Sequence, residues 1–257
     1  MRNEINAVDL AFVVDTTGSM GGLIAAAQEQ MIRMLDELTR AADINLWLGV
    51  VEYRDHPPQD TLVSRVHAFT DDLQKAQQTI KKLEADGGGD APEAVLDGLV
   101  AACHELSWWR HSRRLIVLVG DAPPHGVGMP GDTFAQGCPC GETIASVTRQ
   151  AEEKCITIHA LGLTSAVNDA FREISSLTGG KFFSADQAQT AIDHIATLLK
   201  AEFAELDVDR RVLKLRRDVP DLTIEQLTEQ LELSRHVVAT SLVRLLSRDL
   251  TEMRAVR

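Results

Sequence analysis

The feature that most constrains this chain is a run, Leu115-Ile-Val-Leu-Val119, that is apolar at every position and stops at Gly120-Asp121. A strand with one face in water alternates apolar and polar residues. A strand without that alternation is covered on both faces, the situation of a parallel sheet lying between layers of helices. A second run of this kind, Asp9 to Val14, ends at Asp15 and leads into a stretch where Leu23, Ile24, Ala27, Met31, Leu35 and Leu38 recur at helical spacing. The alternation then continues. Strands are predicted at 44–53 and 62–69, helices at 72–84 and 92–106, the strand at 115–119 and then a loop rich in Pro and Gly. After it come a helix at 141–153, a strand at 156–161, a helix at 167–177, a short strand at 181–184 and a helix at 187–203. The pattern predicts an α/β fold, doubly wound, with a mostly parallel sheet and helices on both faces.

The 257 residues suffice for one large domain or for a domain with a small appendage. No apolar run nears the roughly 18 residues that a membrane-spanning helix requires. Arg2, Glu4 and Asp9 leave no room for a signal-peptide core, so the expectations are no membrane contact and a cytoplasmic location. The cysteines Cys103, Cys138, Cys140 and Cys155 read as reduced thiols. A formal charge of −12 disfavours nucleic acid as the main partner, because phosphate-backbone binders use a cationic field. The negative excess lies wholly before residue 205, since 205–257 carries ten acidic and ten basic side chains. We therefore divide the chain into a domain at 1–204 and a helical module at 205–257.

In open parallel sheets, ligands sit beyond the carboxyl ends of the strands, where the strand order reverses. There the sequence places Asp15-Thr-Thr-Gly-Ser19, with oxygen-bearing side chains at alternate positions Asp15, Thr17 and Ser19. Carboxylates and hydroxyls are hard ligands, suited to magnesium, manganese or calcium. Ser19 would also serve as an N-cap for the next helix. The carboxylates of Asp90 and Asp121 are predicted at the same end of the sheet, and three such groups repel one another unless a cation or a proton joins them.

Three stretches resemble a known family, the von Willebrand factor A-type domain with its metal-ion-dependent adhesion site. They are Asp9-Leu-Ala-Phe-Val-Val-Asp-Thr-Thr-Gly-Ser-Met20, Gly87-Gly-Gly-Asp-Ala-Pro-Glu-Ala94 and Leu115-Ile-Val-Leu-Val-Gly-Asp-Ala-Pro-Pro-His125. Val51-Glu-Tyr-Arg-Asp-His56 is similar to the branch whose middle motif reads Gly-Gly-Gly-Asp. The resemblance covers residues 7–203 and implies six strands, one of them an antiparallel edge strand. It also implies a first metal loop of Asp15, Thr17 and Ser19 and a third loop carrying Asp121. Many relatives have a threonine where this chain has Ala91, which leaves Asp90 as the candidate replacement. An additional acidic ligand would satisfy more of the ion's charge and weaken its demand for a partner's carboxylate.

Asp55, His56 and His125 are expected to rim this face and touch a protein partner. Cys138-Pro-Cys140 supplies fewer donors than the four a structural zinc requires. Trp108-Trp109 reads as packing between helix and sheet. No nucleophile elbow, Walker loop or His-Glu-x-x-His motif is present, and catalysis is not expected. Beyond a charged helical stretch at 205–217 and the breaker Pro220, two short amphipathic helices meet at a turn with Ser234 as N-cap, similar to a helix-turn-helix. The second is expected to expose Arg235, His236, Thr240, Ser241, Arg244 and Arg248. Arg235, Arg244 and Arg248 are the candidate phosphate contacts, although docking to protein or to a second copy is the favoured use of this module. The leading expectation is a non-enzymatic interaction module that uses a divalent cation, Mg2+ before Mn2+ or Ca2+. The alternatives are a DNA-associated regulator and a metal-dependent phosphoester hydrolase.

Overall fold

The computed structural model describes residues 5–89 and 91–250. Strand β1 (Ala7–Asp15) is buried along its whole length and is followed by a 3-10 turn at Gly18–Met20 and helix α1 (Gly21–Ala41). Next come β2 (Asn45–Tyr53), β3 (Ser64–Thr70), α2 (Leu73–Lys81), α3 (Val95–Glu105), β4 (Arg113–Gly120), α4 (Ile144–Glu153), β5 (Ile156–Gly162), α5 (Asn168–Leu177) and β6 (Phe182–Ser184). The chain then runs through α6 (Ala188–Asp218), α7 (Ile224–Leu231) and α8 (Arg235–Ser247). Among the described residues the sheet has the order β3-β2-β1-β4-β5-β6, with only β3 antiparallel to its neighbour.

Side chains alternate across each central strand and so supply two cores. Leu10, Phe12 and Val14 of β1 face α1, α2 and α6, while Ala11 and Val13 face α3, α4 and α5. Both faces are thereby closed to water, which is why neither β1 nor β4 shows polar alternation. Trp108 packs edge-on against Phe69 of β3, with ring centroids 4.8 Å apart.

Three element boundaries differ from expectation for identifiable reasons. Helix α3 starts at Val95 rather than at Pro92, because residues 93 and 94 are strapped across the sheet end. Glu93 N–H donates to Pro123 O at 3.0 Å and Ala94 N–H to Arg54 O at 2.8 Å. Helix α4 starts after Thr143, whose side chain caps it in a reciprocal box with Ser146. The stretches predicted at 187–203 and 205–217 form one helix, since nothing between Phe203 and Leu206 breaks the helical pattern. The division drawn after residue 204 thus falls inside α6, whose later turns share small cores with α7 and α8 through Val212, Leu213 and Leu245 and through Leu222, Leu227 and Val238. No helix among the described residues is long and apolar enough to cross a membrane.

Candidate metal site

The order of the sheet reverses between β1 and β4, and their parallel register, Val14 beside Val119, brings Asp15 and Asp121 out at the same end. Thr17 turns back on Asp15: its backbone N–H and its hydroxyl donate to Asp15 Oδ1 at 2.8 and 2.6 Å. The Ser19 hydroxyl lies 3.3 Å from that of Thr17. The expected N-cap role for Ser19 does not hold. A 3-10 turn intervenes, Met20 stands at the start of α1, and no side chain caps either segment. The exposed Ser19 hydroxyl therefore points along the Asp15–Thr17 row.

The glycine turn after α2 closes on this loop. Gly18 N–H donates to Gly87 O at 3.3 Å. Gly88, at φ +81°, leaves no room for a side chain, because a Cβ there would stand 3.2 Å from Thr17 Cβ and from Glu93 Oε1. Sequence reasoning missed Glu93. It is buried beside Thr17, and its signal is present in the stretch Gly87-Gly-Gly-Asp-Ala-Pro-Glu-Ala94, in which only Asp90 reads as a ligand. Asp90 lies outside the described residues.

The electrostatics favour a proton or a cation among these carboxylates. Burial drives the Asp15 carboxyl upward, the two Thr17 donors pull it back, and the neighbouring Asp121 raises it again, leaving it at about 7. The buried Tyr53 hydroxyl is pushed well above its usual range by burial and then by the charges of Asp15, Glu93 and Asp121, so all three carboxylates lie near it. Asp15 Oδ2 is buried without a hydrogen-bond donor. Such an oxygen is costly to leave unmet, and a hard divalent ion fits the donors gathered around it. Gly120 keeps this spot open, since a Cβ there would fall 2.4 Å from the Tyr53 hydroxyl and 3.4 Å from Asp15 Cβ. Gly120→Ala is expected to cost about 1–3 kcal/mol from overpacking and to weaken cation binding, as read by urea denaturation with and without magnesium.

Asp55, His56 and His125 do not rim the surface. The side chains of Asp55 and His125 are wholly enclosed. Asp55 Oδ1 takes the His56 backbone N–H at 2.6 Å and the His125 Nε2 at 2.8 Å, while His125 Nδ1 pairs with Asp132 at 2.9 Å. These contacts staple the connection 121–143 to the end of β2, so a partner on this face would not reach the three side chains. His56 Nε2 turns instead toward Asp97 and Cys138, at 3.1 and 3.3 Å.

The expected basic face of α8 is also corrected. Arg244 makes a forked pair with the buried Asp209 of α6, at 2.6 to 3.2 Å, and reaches Glu205 at 3.0 Å. Arg248 is 3% exposed and donates to the carbonyls of His111 and Ile5 at 3.0 Å. Ser241 is buried. Arg235 is exposed and pairs with Glu225 at 3.3 Å, so of the three arginines it alone faces water.

Residues 9–187 match the family described as von Willebrand factor A domain. A putative ariadne-like RING finger protein, R811 of Acanthamoeba polyphaga mimivirus, is 33% identical over 132 residues, which is 50% of this chain and 12% of that protein. The alpha-protein kinase vwkA of Dictyostelium discoideum is 27% identical over 137 residues, 52% of this chain and 22% of that protein. The matched region is thus a small part of either relative. Proximal thread matrix protein 1 from the mussel byssus, in a structure with a zinc-occupied MIDAS motif, superimposes with a TM-score of 0.57 at 14% identity, covering 79% of this chain and 47% of that one. At that identity the likeness is one of fold.

Proposed function

This chain belongs to the von Willebrand factor A domain family, and from that premise we propose that it works as a protein-interaction module governed by a divalent cation. The observation that carries the reading is the donorless Oδ2 of the buried Asp15, set among the Thr17 and Ser19 hydroxyls and the carboxylate of Asp121. Asp15, Thr17, Ser19 and Asp121 would hold the ion, with Glu93 beside them and Asp90 as the proposed donor of the middle loop. A bound ion supplies positive charge where an acidic side chain of a partner protein can meet it. The hard donor set favours Mg2+, with Mn2+ or Ca2+ as alternatives. Glu93 and Asp121 already offset part of that charge, so the partner's acid adds to a wider contact over the loops and is not the whole of it. The reading is one of binding rather than catalysis. The Thr17 hydroxyl is committed to Asp15, and the match to an adhesion-type family supports recognition. The terminal helices provide a second surface, on which Val243 of α8 is 64% exposed, and we assign it to docking with protein or with a second copy.

Calorimetric titration with Mg2+, Mn2+ and Ca2+ tests the first half, with binding expected for the wild type and lost in Asp15→Asn. Retention of a partner from cell extract in Mg2+, released by EDTA and absent for Asp15→Asn, tests the second. Retention indifferent to EDTA would sink it. A pH dependence follows as well. With the metal-free Asp15 carboxyl at about 7, an incoming ion must displace a proton below that pH. Affinity should therefore rise about tenfold per pH unit up to about 7 and level off above it. Titrations in buffers of different ionisation enthalpy should find about one proton released per ion near pH 6.

A further inference from the structure

We propose that Cys138, Cys140, His56 and Asp97 form a second metal site, separate from the Asp15 site and chemically unlike it, that takes zinc. Their donor atoms come from three distant parts of the chain. His56 follows β2, Asp97 lies in the first turn of α3, and Cys138-Pro-Cys140 ends the long connection from β4 to α4. Local spacing gives only two of the four donors that a closed zinc site needs, and the fold delivers the others.

The atoms converge. His56 Nε2 stands 3.1 Å from Asp97 Oδ2 and 3.3 Å from Cys138 Sγ. Cys138 Sγ lies 2.9 Å from Asp97 Oδ2, and Cys140 Sγ lies 2.7 Å from Cys138 Sγ. A tetrahedral centre with Zn–S near 2.3 Å and Zn–N or Zn–O near 2.0–2.1 Å holds its donors about 3.3–3.8 Å apart. The donor atoms of His56, Asp97 and Cys138 already form a compact group, slightly contracted relative to that spacing, and seating the ion takes small outward movements of these three and a swing of the exposed Cys140 thiol from beside Cys138 into the fourth position. His56 and Cys138 are buried and Asp97 is 15% exposed, so three donors are fixed by packing and Cys140 closes the site from the solvent side.

Donor chemistry sets the occupant. Two thiols, an imidazole and one carboxylate form a soft-to-borderline set that favours zinc, whereas the oxygen set around Asp15 favours hard ions. The surroundings orient the ring of His56: its own backbone N–H is tied to Asp55, and Phe134 meets the imidazole edge-on at 5.7 Å. The connection 121–143 contains no helix or strand, an uncommon length for an irregular loop in a compact domain, and while His125 and Asp132 tie its first half to the end of β2, its second half carries the Cys-Pro-Cys segment. Asp121 begins this loop and the Cys-Pro-Cys segment ends it, so zinc would brace the segment that presents Asp121. On binding, the two thiols lose their protons to solvent and no redox change occurs.

The test uses full-length protein kept under reductant and supplied with one equivalent of zinc or cobalt. One tightly held zinc per chain is expected, together with a cobalt spectrum carrying thiolate charge-transfer bands. Both should disappear in Cys138→Ser and Cys140→Ser and persist in Cys155→Ser and in Asp15→Asn, the last separating this site from the one proposed above. Asp97→Asn keeps the side-chain shape in case the cysteine variants fold poorly, and it should weaken zinc binding at least about tenfold. Absence of thiolate bands, or bands untouched by Cys138→Ser, overturns the proposal. So does a Cys138–Cys140 disulfide that persists with zinc and reductant present.

Discussion

Asp15→Asn is expected to stabilise the metal-free protein at pH 8 by up to about 4 kcal/mol while abolishing its response to magnesium. The size follows from a carboxyl that titrates at about 7 in the fold against 3.8 for its model value, a gap of about three units at 1.36 kcal/mol each. Below pH 3.8 the group is protonated in both folded and unfolded chains and costs nothing. As pH rises from there to about 7, the unfolded chain ionises first, and the wild type loses stability that it does not regain at higher pH. Asparagine has no charge to bury, and its Oδ1 can still accept both Thr17 donors. The variant should therefore match the wild type near pH 4 and exceed it at pH 8, with saturating magnesium narrowing that gap by stabilising only the wild type. Thermal melts over pH 4–8, with magnesium or EDTA, measure all of this. A variant less stable than wild type throughout, or one that magnesium still stabilises, would show that Asp15 is a structural carboxylate.

Asp209→Ala should lower stability by about 3–5 kcal/mol, the cost of removing one partner from a buried ion cluster. Asp209 is 0% exposed and accepts the fork of Arg244, with Arg248 Nη1 at 3.9 Å. Burial lowers the Arg248 guanidinium to about 10, against the opposing pull of Asp209. Without Asp209, Arg248 retains the neutral carbonyls of His111 and Ile5, and Arg244 retains the partly exposed Glu205. The double variant Asp209→Ala with Arg248→Met should recover part of the loss, because it also removes the stranded charge. Urea denaturation provides the measurement, and a loss under about 1 kcal/mol would mean that water screens the cluster.

The legible parts of this molecule are those in which a residue's neighbours in sequence decide its surroundings. The all-apolar run at Leu115–Val119 and the helical spacing after Ser19 announce the layered sheet, and Asp15-Thr-Thr-Gly-Ser19 announces its loop. The misreadings share one cause, a partner distant along the chain. Arg244 and Arg248, four residues apart, do lie on one face of α8, but Asp209 on another helix turns that face inward. His125 reads as a loop histidine until Asp55 and Asp132 enclose it. Glu93 falls inside the helix predicted at 92–106 until its backbone bonds to Pro123 and the helix starts later. Cys138 has only Cys140 as a neighbouring thiol in sequence until the end of β2 and α3 bring His56 and Asp97 to it.

Helix α6 runs unbroken for 31 residues, about 46 Å at 1.5 Å per residue, from beneath the sheet to the terminal helices. Its early turns pack beside α1 in the core under the sheet and its late turns against α7 and α8, which makes this one helix the axle joining the two regions. A dye on Val243 and a second at the loop tip near Val127 should therefore give one narrow energy-transfer distance. Breaking the axle at Ala204 with proline should broaden that distance.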